Sequence, residues 1–279
     1  MKTLTQGLFT GERALFNSKE LKIYDSIFAD GESPLKESSN IELYGSIFKW
    51  KYPLWYCTDV KACNCVLLET ARSGIWYTKN ISMKNCVIEA PKTFRRSSSI
   101  YISDSTMPNA KETLWNCSEV TIERVCVTGD YFAMGAENVR ADKLTIDGNY
   151  AFDGGKNIEI KNSRLISKDA FWNCENVTVT DSVIIGEYLG WNSKNVTFVN
   201  CTIESNQGMC YMDGVKLVNC KLLNTDLAFE FSTVDAEVTT EIDSVKNPIA
   251  GRILAKAIRE LILEPTQIDP EKTEIITEK

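Results

Sequence analysis

A step of 19 to 21 residues recurs along most of this chain. Segments open at Leu21, Ile41, Val60, Ile81, Ile100, Val120, Val139, Ile158, Val177, Val196 and Val215, and from Val120 onward the step is 19 each time. With each opening taken as position 0, position +2 (Ile23, Leu43, Met83, Ile160, Val179 and their equivalents) and position +7 (Phe28, Phe48, Leu67, Leu165, Leu222 among them) are apolar in every segment. Position +1 is mostly polar, as at Lys22, Glu42, Lys61, Arg140 and Thr178. Apolar residues two apart with a polar one between mark a strand with one buried face, whereas a helix would repeat about every 3.6 residues. Units this short cannot bury a core alone, so they stack, and the chain is expected to form a solenoid.

Small inward residues follow at +5 (Ser26, Ser46, Cys65, Cys86, Ser163, Cys201, Cys220), and turn formers such as Asp25, Asn64, Asn85 and Asn200 precede them at +4. Asparagines at −1 (Asn40, Asn80, Asn138, Asn157, Asn176, Asn195) lead into the first strand, and position −6 (Leu35, Leu54, Ile75, Phe94, Phe152, Phe171) marks a third. Asn and Asp tolerate left-handed backbone and bond their own chain, which suits a corner repeated in every coil. The expectation is an all-β, single-stranded right-handed parallel β-helix of about eleven coils, with three short strands per coil and a cap at each end. It reads as one domain over residues 1–264, in which residues 1–20 are the N-terminal cap and residues 224–264 are irregular coils or a C-terminal cap. There, Gly251 to Glu264 fits short strands slightly better than a capping helix. Residues 265–279 read as a polar, acidic tail, either mobile or an added segment.

The chain contains no histidine, which removes the commonest general base and zinc ligand and every Ser/His or Cys/His arrangement. With 31 basic against 38 acidic residues, a net charge of −7 and no long Lys/Arg run, nucleic acid is not an expected partner. No export-signal pattern opens the chain and no stretch approaches the roughly 18 apolar residues of a membrane span, so no membrane association and a cytoplasmic location are expected. The ten cysteines then read as reduced, buried small hydrophobes. Cys63 and Cys65 alternate faces of a strand with no second pair at zinc-site spacing, so neither metal nor cofactor is expected. Cys65 with Cys86, and Cys201 with Cys220, fall on successive coils about 4.8 Å apart, inside the reach of a disulfide, and are expected as free thiols.

Position −5, next to the inward column, reads Phe16, Lys36, Trp55, Trp76, Arg95, Trp115, Met134, Asp153, Trp172, Trp191 and Cys210, and so gathers five of the six tryptophans. Two arrangements are open, an internal aromatic stack or an outward stripe. The outward stripe accommodates Lys36, Arg95 and Asp153 without burying unpaired charge. Exposed rings at that spacing offer platforms for sugar faces or for a protein partner's side chains. Tyr131, Tyr150 and Tyr188 align at +11 on the same side and extend the candidate binding set to Trp55, Trp76, Arg95, Trp115, Tyr131, Tyr150, Trp172, Tyr188 and Trp191.

Acids fall near this stripe. Asp130, Asp153, Asp169 and Glu187 are the candidate catalytic carboxylates of an enzyme reading, a glycoside hydrolase or polyuronate lyase; retaining hydrolases need two carboxyls about 5 to 5.5 Å apart. The plainer reading of the same residues is a solvated turn ladder in which Lys168 pairs with Glu187. Three functions therefore stand at this point: a non-catalytic binding or scaffold module for an oligosaccharide or a protein, a carbohydrate-active enzyme, and a rod that assembles through its strand edges. Oligomeric state is not legible.

The blocks GLFTGERALF, DGESPLKES, WKYPLWYC, RSGIWYT, TFRRSSSIY, DAFWNCENVTVTDS, LGWNSKNVTFVNC and IDSVKNPIAG resemble a bacterial family catalogued only as a domain of unknown function, over about residues 4–263. The resemblance implies a pectate-lyase-like β-helix. It brings no activity and no catalytic residues.

Overall fold

The computed structural model describes residues 1–278. They form an all-β, right-handed parallel β-solenoid of about 15 turns, with no α-helix among the described residues. The register is the sequence repeat itself: Leu21 pairs across to Ile41, Ile41 to Val60, Val60 to Ile81, Ile81 to Ile100 and Ile100 to Val120. Farther along, Ile158, Val177, Val196 and Val215 pair in the same succession. Position +2 is sealed, with Ile23, Leu43, Met83 and Phe198 all at 0% exposure, so the period-two alternation states which face is inside.

Left-handed backbone supplies the corners. Every residue at −1 from Glu20 to Asn195 and nearly every residue at +4 has a φ near +50°, among them Asn64 (φ 54), Asn85 (φ 53) and Asn176 (φ 58). Side chains of these corners bond from coil to coil, as Asn85 does to Asn64 at 2.6 Å and Asn195 to Asn176 at 2.8 Å. The third side is weaker than expected. Among the described residues, strand pairing on that side is seen at Ile75–Trp76 with Phe94–Arg95. At Leu114, Ala133, Phe152, Phe171 and Met209 the inward residue is itself left-handed, which turns the segment instead of extending it.

The chain divides into two compact units, residues 1–145 and 146–279, instead of one body with a tail. In the first, residues 1–20, expected as the N-terminal cap, take the form of a further coil, with Lys2–Thr5 paired in parallel to Lys19–Tyr24 and Phe9 stacked on Phe28 at 4.9 Å. Phe28 stacks in turn on Phe48 at 4.5 Å. In the second unit Phe152 lies on Phe171 at 5.5 Å, and the C-terminal residues add three more coils. Their strands are Thr233–Lys246, Ala250–Ile262 and Thr273–Thr277.

The expected strand over Gly251 to Glu264 is therefore present, and the polar tail expected as mobile or added holds a strand paired to it, with Gly251 opposite Thr273 and Ala255 opposite Thr277. Sequence periodicity missed these coils because the openings there are Val234, Gly251 and Thr273, so the step varies and two openings are not apolar. Register shifts after Leu217 and Val238 add to this. Lys279 lies outside the described residues.

Candidate functional site

Position −5 faces outward. Trp55, Trp76, Trp115, Trp172 and Trp191 are each half-buried, while their −6 neighbours Leu54, Ile75, Leu114 and Phe171 are at 0% exposure. An internal tryptophan stack is excluded by that alternation. The sixth tryptophan, Trp50, is exposed and lies outside the column.

In the first unit the column is a closed ladder. Trp55 stacks on Trp76 with centroids 5.1 Å apart and planes 9° from parallel. The Arg95 guanidinium is sandwiched, 4.7 Å from the Trp76 ring and 4.5 Å from the Trp115 ring. Tyr52 covers Trp55 at 4.6 Å, and Tyr131 meets Trp115 edge-on at 6.4 Å. Each indole N–H donates to a backbone carbonyl farther along the chain: Trp55 to Ser73 at 2.5 Å, Trp76 to Lys92 at 2.8 Å and Trp115 to Tyr131 at 2.9 Å. Glu112 closes the charge around Arg95 at 3.3 Å and Lys92 at 3.0 Å.

A sugar stacks on a ring face, and here the faces are taken up by neighbouring coils, leaving mainly edges to solvent. The first-unit residues of the candidate set thus hold successive coils together. Replacing Arg95 by Ala removes two cation–π contacts, so Arg95→Ala is expected to lower unfolding free energy by about 1–3 kcal/mol, measured as a shift in the urea midpoint. A midpoint equal to that of the parent protein would show the sandwich to be energetically idle.

The second unit departs from this ladder. Trp191 keeps the pattern, donating to the Gln207 carbonyl at 2.6 Å with Tyr188 edge-on at 5.1 Å. Trp172 does not: its indole nitrogen is enclosed and has no hydrogen-bond partner among the described residues. Its ring lies against Tyr150 at 6.3 Å. Three residues earlier, Asp169 takes the +11 place that tyrosine holds in the coils of Tyr150 and Tyr188, and it is only 7% exposed. Burial raises its carboxyl above the ordinary range. Lys168 opposes the shift, the carboxylates of Glu187 and Asp153 add to it, and a hydrogen bond with Tyr150 opposes it.

Backbone bonds set these residues on successive coils, Tyr150 N–H to the Lys168 carbonyl at 2.8 Å and Asp169 N–H to that of Glu187 at 2.9 Å. Around them, Asn173 donates to Asp153 at 3.2 Å, and Lys168 pairs with Glu187 at 3.3 Å while lying 5.1 Å from the Tyr188 ring. The expected Lys168–Glu187 pair is present. Three of the four candidate carboxylates, Asp153, Asp169 and Glu187, thus share one unit and one electrostatic neighbourhood. Asp130 belongs to the other unit, where its carbonyl accepts from Glu112 N–H at 2.9 Å. Asn173 was not singled out in the sequence; its place at −4, beside the tryptophan column, is the signal that marks it.

Among the described residues no group of three or more His, Cys, Asp or Glu could hold a metal ion, and no helix is long and apolar enough to cross a membrane. No curated protein sequence matches the chain. Among solved structures it is similar to the A-module of mannuronan C-5 epimerase AlgE4 from Azotobacter vinelandii, at 10% identity and TM-score 0.45, covering 84% of this chain and 88% of that one. It is also similar to endopolygalacturonase I from Stereum purpureum, at 10% identity and TM-score 0.33 over 99% and 95% of the two chains. A third likeness is to QnrB1, a plasmid-mediated fluoroquinolone resistance protein, at 13% identity and TM-score 0.26 over 80% and 93%. Likenesses this distant carry no argument about chemistry. The family comparison reaches almost the whole sequence, residues 2–276, and the chain belongs to the family described as protein of unknown function DUF3737.

Proposed function

We propose that this protein is a binding module whose ligand, a hydroxyl-rich molecule such as an oligosaccharide, seats on the second unit at Tyr150, Asp153, Asp169, Trp172 and Glu187. One observation carries the reading: a buried carboxyl and an indole N–H without an acceptor stand three residues apart on one coil, at a point where the coils of the other column tryptophans satisfy theirs. An enclosed donor without a partner costs about 1–3 kcal/mol, and a ligand acceptor that reached the Trp172 N–H would recover that cost without competing with an existing hydrogen bond. A hydroxyl both accepts and donates, and so fits an indole N–H and a carboxylate together.

The test is a glycan array read with tryptophan fluorescence. Trp172→Ala is expected to weaken binding about ten-fold or more, about 1.4 kcal/mol, while Trp76→Phe leaves it unchanged. Binding that survives Trp172→Ala removes this site from the reading.

Asp169 also supplies a prediction about pH. A carboxyl raised in the fold holds its proton more tightly folded than unfolded. Its favourable contribution is full below the unfolded range, about pH 4, and is lost as pH rises through the folded value. Asp169→Asn is therefore expected to raise the melting temperature near neutral pH and to leave it unchanged at about pH 3, where the native carboxyl is neutral in both states. A lower melting temperature near neutrality would assign Asp169 a structural role instead.

The same carboxyl favours a second reading, cleavage of a sugar polymer with Asp169 as proton donor and Asp153 or Glu187 as its ionised partner. Release of reducing ends from an array-positive oligosaccharide, lost in Asp169→Asn, separates catalysis from binding.

A further inference from the structure

Independently of the ligand site, four of the ten cysteines share the inward column at +5, and they occur there only as neighbours on successive coils. Cys65 and Cys86 stand between Ser46 and Ser105, and Cys201 and Cys220 follow Ser163 and Ser182. The inward column at −3 is the contrast: Cys57, Cys117 and Cys174 alternate there with residues such as Ser38, Thr78, Ser97 and Ser193, and none adjoins another cysteine. All ten are free thiols.

The members of each +5 pair are in register. Val66 is the strand partner of Val87 and Thr202 that of Lys221, each one residue beyond its cysteine. Neighbouring strands lie about 4.8 Å apart, inside the window of about 4.4–6.8 Å between Cα atoms that a disulfide spans. Each of these thiols donates to backbone carbonyls, Cys65 to Cys63 at 3.4 Å, Cys86 to Lys84 at 3.3 Å, Cys201 to Val199 at 3.3 Å and Cys220 to Phe198 at 3.3 Å, so that neither pair is bonded yet. They are buried, yet the residue before each, Asn64, Asn85, Asn200 or Asn219, is an exposed corner, so a single turn separates them from solvent.

We infer that Cys201 with Cys220, and Cys65 with Cys86, are oxidisable dithiol sites, each converted by a hydroperoxide into a disulfide that ties two successive coils. With hydrogen peroxide, one thiolate attacks a peroxide oxygen, the O–O bond breaks and hydroxide leaves, taking up the proton that the thiol lost on ionising to become water, and a sulfenic acid is left. The neighbouring sulfur attacks the sulfenic sulfur, its S–H proton leaves with the hydroxyl as a second water, and the S–S bond forms. Two thiols lose two electrons and the peroxide gains them. The pairing also separates the two sulfurs, since the neighbouring thiol lowers Cys220 and Cys65 while their partners are pushed up. Cys57, Cys117, Cys174 and Cys210 have no cysteine beside them on the next coil and are pushed up to about 12 by burial.

The experiment treats the folded full chain with hydrogen peroxide, then unfolds and alkylates it without reductant and maps the peptides by mass. The expected result is two linked pairs, Cys65–Cys86 and Cys201–Cys220, both reversed by dithiothreitol, with Cys57, Cys117, Cys174 and Cys210 fully alkylated. Cys201→Ser, which puts the column's own alternative residue in place, loses the second link and keeps the first. The inference is overturned if the four paired cysteines remain alkylatable after the exposed Cys126 has been oxidised, or if other pairings form.

Discussion

Phe48→Ala is expected to lower the unfolding free energy by about 3–5 kcal/mol, the range for removing a fully buried ring whose site cannot collapse. The ring is 1% exposed and lies face to face with Phe28, 4° from parallel, in the stack that begins at Phe9. Backbone strands on either side of that stack are fixed by in-register pairing, with Phe28 opposite Phe48 and Phe48 opposite Leu67, so neighbouring coils cannot close over the void. Solenoid stability is close to a sum of coil and interface terms. The loss is therefore expected first in hydrogen exchange at Ile27–Phe28 and Val66–Leu67, together with a lower urea midpoint followed by tryptophan fluorescence. Exchange that rises only at distant coils would contradict the stacking account.

Gly251→Ala is expected to cost about 2–5 kcal/mol, from left-handed strain and overpacking together. Gly251 has φ +118, and a Cβ there would stand 1.8 Å from the Val234 carbonyl oxygen. The residue sits between Val234 on one side and Thr273 on the other, so the added carbon has no strand-neutral way out. The measurement is limited proteolysis with a melting curve, and early release of the segment carrying Thr273–Thr277 is the expected result. Gly154→Ala is the control in the same unit. It has φ +68 with nothing within 4 Å of the new carbon, so only the left-handed cost of about 1–2 kcal/mol applies. Equal losses in the two variants would show that the carbonyl clash contributes nothing.

Much of the fold was legible because its signals are local. Each coil alternates apolar and polar residues, and corners at −1 and +4 carry the Asn and Asp that left-handed backbone favours, so the inward columns could be written down from spacing alone. Legibility failed where local signals stop. Gly251 and Thr273 open coils without an apolar residue, and Leu4 and Phe9 belong to a coil that precedes the first clear opening at Leu21. The candidate site was half legible in the same sense. Position −5 named the tryptophans and its outward direction followed from −6, but nothing in the spacing distinguished Trp76, stacked on both faces, from Trp172, whose N–H is unpartnered.

By itself the sequence determined the parallel β-helix, its step and its inside, because a period of two within a period of 19 to 21 marks short one-face-buried strands that bury a core only by stacking coil on coil. Only the tertiary structure decided how the side chains of successive coils meet. Ring faces meet, carboxylates crowd and thiols pair across successive coils, between residues about twenty apart in the chain whose distances depend on side-chain packing and not on any local pattern. Asp169 is the case in point: in sequence one of four candidate carboxylates with no fixed geometry, in the fold a buried acid beside two others.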